Sequence, residues 1–197
     1  MDDRSAVIIT NFARWAAASA ARQGSPVRGR AWYEHIDRVH IEALVSNKSP
    51  SVESFSKWHR REVEGLSRNA KVPIGWAAKI VNMLTKVHVY LAGRGSPALL
   101  GLIHPPIDNF LVNTILKNYS ARTEAECKNR GEILRLCSMG KPIKSVTSYE
   151  RYLEVIAGLK MIAESEGWTL FETESLWDDN AAQPPRGGQI ARRSTAS

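Results

Sequence analysis

The stretch PIGWAAKIVNMLTKVHVYLAG, residues 73–93, decides how the rest of the chain is read. Pro73 and Gly75 mark a turn, and from Trp76 to Leu91 the residues are almost all apolar, the pattern of a long buried helix. The cation in its first turn is Lys79, four residues after Gly75. A positive charge is disfavoured there, because the aligned peptide dipoles leave a helix N-terminus positive. Either the lysine lays its stem along the surface and keeps its amine in water, or it is desolvated, with a lowered pKa and a more nucleophilic amine. Twenty-nine residues later, IHPPIDNFLVNTI (103–115) carries a single carboxylate, Asp108, just past two prolines. Asp at that place reads as a helix N-cap. An N-cap carboxylate can also be held ionised and directed into a cleft, so Lys79 and Asp108 are candidates for two halves of one site.

Working outward, nearly every segment reads as helix. Residues 4–22 are Ala-rich and broken by Gly-Ser-Pro at 24–26. Residues 30–46 carry Trp32, Ile36, Val39 and Ala43 at helical spacing. Ser-Pro at 49–50 opens the next helix, whose buried stripe is Phe55, Trp58 and Leu66. A short helix is expected over 97–102, and another from Phe110 to Asn118 after the prolines. Thr123 with Glu126 and Thr147 with Glu150 read as capping boxes for helices over 124–137 and 148–166, the second ended by Gly167. WTLFET, 168–173, is a weak strand candidate. Residues 178–197, rich in Pro, Gly, Ser and Arg, are expected to form a disordered tail after a helical domain over 1–177. Arg186, Arg192 and Arg193 in that tail could add loose phosphate contacts.

The chain has 197 residues, enough for one domain with a real core. No apolar run reaches the roughly 18 residues of a membrane span, and the first residues lack a signal-peptide pattern. Two cysteines, Cys127 and Cys137, are too few for a disulfide framework or a four-thiolate cluster, so a reducing, cytoplasmic compartment is expected. Absence of coiled-coil heptads makes a monomer the default. The net charge of +7 is concentrated: residues 57–94 hold eight Lys or Arg against Glu62 and Glu64. That concentration reads either as a solvated basic face or as a nucleic-acid surface. His35, His40, His59 and His88 show no metal-ligand spacing, and His104 is given a structural or gating role.

Turn, lysine and aspartate together resemble the helix-hairpin-helix DNA glycosylase superfamily. Its motif runs roughly Leu-Pro-Gly-Val-Gly-x-Lys, followed after a spacer by Pro-Val-Asp and a helix. GWAAK places Gly75 on the first family glycine and Lys79 on the family lysine, and PPID places Pro106 and Asp108 on the later Pro-x-Asp. The nearest likeness is to bifunctional 8-oxoguanine glycosylase/lyases, and the long spacer resembles that of their archaeal-type branch. Ala77 stands in place of the second hairpin glycine and Ile74 in place of a proline, and the iron–sulfur cysteines of some relatives are absent.

The resemblance implies an all-α, two-lobed helical domain that acts on double-stranded DNA with a damaged or modified base, without cofactor or metal. Lys79 would attack the sugar C1′ and form a Schiff base. Asp108 would stabilise the developing positive charge and help deprotonate the lysine. Backbone groups at Gly75 and Ala77 would face a DNA phosphate, and Arg68, Lys71, Lys86 and Arg94 would grip the backbone. One aromatic among Trp76, Tyr90, Phe110, Trp15 and Trp32 would stack on the flipped base. Two other readings stay open: a non-catalytic helix-hairpin-helix DNA-binding protein, as in a mobile element or defence system, and a helical interaction protein whose match is accidental.

Overall fold

The structure, a computed structural model, describes residues 3–21 and 24–178. The remainder of the expected tail, from residue 179 on, lies outside them. The chain is all-α: eight α-helices and several shorter 3₁₀ or π turns, with no strand among the described residues.

Helix α5 (Ile74–Thr85) is central. Ten of its twelve residues are buried, as an apolar sequence without a polar face requires. The two that are not, Lys79 and Met83, lie four apart on one face. Helices α1 (Asp3–Ala20) and α4 (Val52–Ala70) pack against it. Helix α4 starts on a reciprocal cap: the Ser54 amide donates to Ser51 Oγ (3.1 Å) and the Ser51 amide to Ser54 Oγ (2.8 Å). It ends where Lys71 turns left-handed (φ 53°), and two residues later Pro73 caps α5. Past Thr85 the helix continues as a π-helical turn, Lys86–Leu91.

Around this centre, α2 (Ala31–Ile36) and α3 (Ile41–Val45) replace the single helix expected over 30–46. The break exposes Ala43 and buries Leu44 instead. Helix α6 (Asn109–Ser120) follows the prolines. The box at Thr123 and Glu126 forms, with the Thr123 amide 2.7 Å from Glu126 Oε2, but it closes only a turn; α7 runs from Arg130 to Ser138. Helix α8 (Tyr149–Glu166) is capped by Ser148, whose Oγ accepts from the Arg151 amide at 3.1 Å, rather than by Thr147. Gly167, with φ 71°, ends it as expected. The weak strand at 168–173 is overturned: a turn leads into a 3₁₀ segment, Phe171–Asp178, that packs on α6.

The loop over 141–146 explains Gly75. The Gly75 amide donates to the Val146 carbonyl (2.9 Å), and the Ile143 amide donates to Asn109 Oδ1 (2.8 Å), so the loop bridges α5 and α6. A Cβ on Gly75 would collide with the Ile143 carbonyl oxygen and crowd Val146. Gly75→Ala should therefore lower folding stability by about 1–3 kcal/mol. An unchanged urea midpoint would contradict this packing role.

Candidate functional site

Lys79 leaves α5 through its one open face and meets Asp108, with Nζ 3.2 Å from Oδ2. The side chains are 12% and 19% exposed, so the ion pair is largely withdrawn from water. The two oxygens of Asp108 do different work. Oδ1 caps α6 by accepting from the Leu111 amide (2.9 Å), which leaves Oδ2 for the lysine. The Trp177 indole N–H, on the 3₁₀ segment, lies 3.3 Å from both oxygens. Lys79 Nζ also lies 5.7 Å from the Trp76 ring centre.

The pair opens into a cavity of about 580 Å³, walled by Trp15, Trp76, Met83, Phe110 and Trp177. Across it, Lys86 Nζ pairs with Glu174 at 2.6 Å. Burial raises the Glu174 carboxyl; Lys86 opposes that rise and the nearby charge of Asp108 adds to it.

Asp108 owes its place to a buried polar cluster one turn along α5. Asn82 Nδ2 donates to the Pro105 carbonyl (2.8 Å) and to Tyr152 Oη (3.0 Å). Its Oδ1 then faces His59 Nε2 at 2.8 Å, so that nitrogen carries the proton. His59 Nδ1 accepts from Tyr149 Oη (2.7 Å), and Tyr152 Oη lies 2.8 Å from His104 Nδ1. Asn82 thus uses both amide hydrogens and its carbonyl oxygen. Both rings are held neutral: burial pushes His59 down to about 4 against the opposing Asn82 hydrogen bond, and burial pushes His104 well below its usual range. The buried, doubly proline-restricted segment 103–107 is thus tied down at Pro105, three residues before Asp108.

Several expected site residues converge here. Lys79, Asp108, Trp76, Phe110, Trp15 and Lys86 all line the one cavity. Tyr90 does not: its ring packs 4.4 Å from Phe171 in an adjoining groove of about 710 Å³. Trp32 is core, its indole donating to Ser25 Oγ at 3.2 Å.

The phosphate cradle at Gly75 and Ala77 needs correction. Both residues are buried; the Gly75 amide is taken by Val146, and the Trp76 and Ala77 amides turn back on the Pro73 carbonyl at 3.0 and 3.3 Å. Nor is the basic run an open basic face. Lys57, Arg60, Arg61, Lys79, Lys86 and Arg94 each hold a carboxylate, Arg94 pinning Glu42 while touching His88 Nδ1 at 2.6 Å. Of the eight, Arg68 and Lys71 alone lack an ion pair among the described residues, and both are exposed.

Sequence reasoning missed Trp177, Glu174 and Met83 in the cavity, and Asn82 behind it. It also missed Lys141 and Lys144, exposed and without an ion pair among the described residues, which flank Ile143 at the cavity wall. No three His, Cys, Asp or Glu gather as metal ligands, and no helix is long and apolar enough to cross a membrane, among the described residues.

Comparison with protein-family models, curated proteins and solved structures finds no match to this chain.

The neutral histidines make a pH prediction. Between the ordinary histidine value near 6.5 and about 4, the unfolded chain binds a proton at His59 that the fold refuses. Stability should therefore fall as pH drops through that window, by up to about 1.4 kcal/mol per pH unit for each such histidine. Urea unfolding at a series of pH values measures this; a flat profile from pH 7 to 5 would contradict the buried neutral cluster.

Proposed function

We propose that the chain is a DNA glycosylase with lyase activity that works through Lys79. One observation carries this reading: a lysine and an aspartate 29 residues apart meet at 3.2 Å in an aromatic-walled cavity. The cavity falls within the roughly 300–1,000 Å³ of small-ligand sites. Trp76, Phe110 and Trp177 offer ring faces for a nucleobase turned out of the stack. With α4, the turn over 71–73 and α5 read as the helix-hairpin-helix, the cations left for DNA phosphates are Arg68, Lys71, Lys141 and Lys144.

The chemistry follows from the pair. Lys79 gives a proton to Asp108 and attacks C1′ as the neutral amine. The C1′–N bond breaks with its electron pair going to the base, which takes up a proton as it leaves. That proton comes from Asp108, which is thereby a carboxylate again and stabilises the positive charge that develops on the sugar. Ring opening gives a Schiff base, from which loss of a C2′ proton expels the 3′ phosphate. The favoured base, by resemblance alone, is 8-oxoguanine.

Borohydride trapping on duplexes holding 8-oxoguanine or an abasic site tests the reading. Wild type should form a covalent adduct, Lys79→Gln none, and Asp108→Asn should form it about 10²–10⁴-fold more slowly. Salt-sensitive binding without any adduct would reject the enzyme in favour of a non-catalytic DNA-binding protein.

A further inference from the structure

The exposed apolar surface of α1 is not scattered. Ile8 (67% exposed), Phe12 (47%) and Trp15 (50%) fall at i, i+4 and i+7 on one face, with Val7 (59%) beside them. The Phe12 and Trp15 rings lie 5.7 Å apart. Apolar side chains of this size, gathered on one face, mark an interaction surface. Trp15 belongs both to this stripe and to the cavity wall that holds Lys79 and Asp108, so the stripe runs without interruption into the site. The helix begins at Asp3, and its two cations are Arg4 and Arg14. Arg14 is held by Asp37 (2.6 Å), whereas Arg4 is exposed. Flat and apolar side chains that continue the wall of a cavity read as a base site fit the bases next to the target nucleotide. From Ile8 to Trp15 the stripe is about 10 Å long, the length of roughly three stacked bases. A second copy of the chain seated there would cover Trp15 at the mouth of the cavity.

We propose that Ile8, Phe12 and Trp15 form a platform for unpaired DNA bases next to the nucleotide that enters the cavity. The inference rests on the reading of the cavity as a base site. Stacking on an aromatic side chain is sequence-tolerant, which suits bases that have lost their partners. The platform binds DNA opened around the target nucleotide and gains nothing from a fully paired helix.

The test compares wild type, Ile8→Ser/Phe12→Ser and Phe12→Tyr on a fully paired duplex and on one with a short bubble carrying 2-aminopurine. Wild type should prefer the bubble and change its 2-aminopurine fluorescence. The double variant should lose about tenfold in bubble affinity, with paired-duplex affinity unchanged. Phe12→Tyr should keep the preference, and melting curves should show all three folded. If wild type forms the borohydride adduct and the double variant keeps the bubble preference, the platform is wrong and the cavity reading survives. If wild type shows neither adduct nor DNA binding, both fall together. Self-association of wild type that the double variant abolishes would assign the face to a second copy and overturn the platform.

Discussion

Asn82 is the residue on which the site depends. It lies in the most buried helix, and its amide bonds the Pro105 carbonyl, Tyr152 and His59 at once. An amide stripped of water is costly unless its donors and acceptor are all used. Asn82 meets that condition, with both amide hydrogens and the carbonyl oxygen used. Asn82 and Lys79 are one helical turn apart, and Pro105 and Asp108 are three residues apart. The Asn82–Pro105 bond at 2.8 Å and the Lys79–Asp108 contact at 3.2 Å are therefore successive rungs between the same two segments. The inner rung is buried and neutral; the outer one is charged and opens to the cavity.

The rest of the fold serves this placement. Helix α5 is enclosed on almost every side, so its one open face is narrow and chemically distinct. The loop over 141–146 closes against Gly75 and Asn109, fixing the N-terminal ends of both helices that carry the pair. The 3₁₀ segment brings Trp177 to the carboxylate and Glu174 to Lys86.

The pairing of Lys79 with Asp108 was legible in the sequence only through the motif that joins turn, lysine and Pro-x-Asp, because locally the one reads as a surface lysine and the other as an ordinary N-cap. The helical composition was legible for the same local reason: spacing and caps. What depended on distant partners was not. The eight cations of residues 57–94 look like a patch only while Glu42, Glu150 and Glu174 stay out of sight along the chain. Gly75 is conspicuous as a glycine, yet the sequence does not say that the backbone approaching it is Ile143 and not a phosphate. Asn82 reads as a polar blemish on an apolar helix until its three partners are seen. Trp177 and Glu174 sit in a 3₁₀ segment too short and too polar to show a period.

The most direct measurement is a double-mutant cycle on single-turnover borohydride trapping with preformed abasic duplex. It uses wild type, Asn82→Ala, Asp108→Asn and the double variant, with melting curves to show that each is folded. If Asn82 acts by placing Asp108, Asn82→Ala slows adduct formation, and the double variant is no slower than Asp108→Asn alone. Slowdowns that multiply, or an Asn82→Ala protein that traps as fast as wild type, would contradict the placement of Asp108 by the buried cluster.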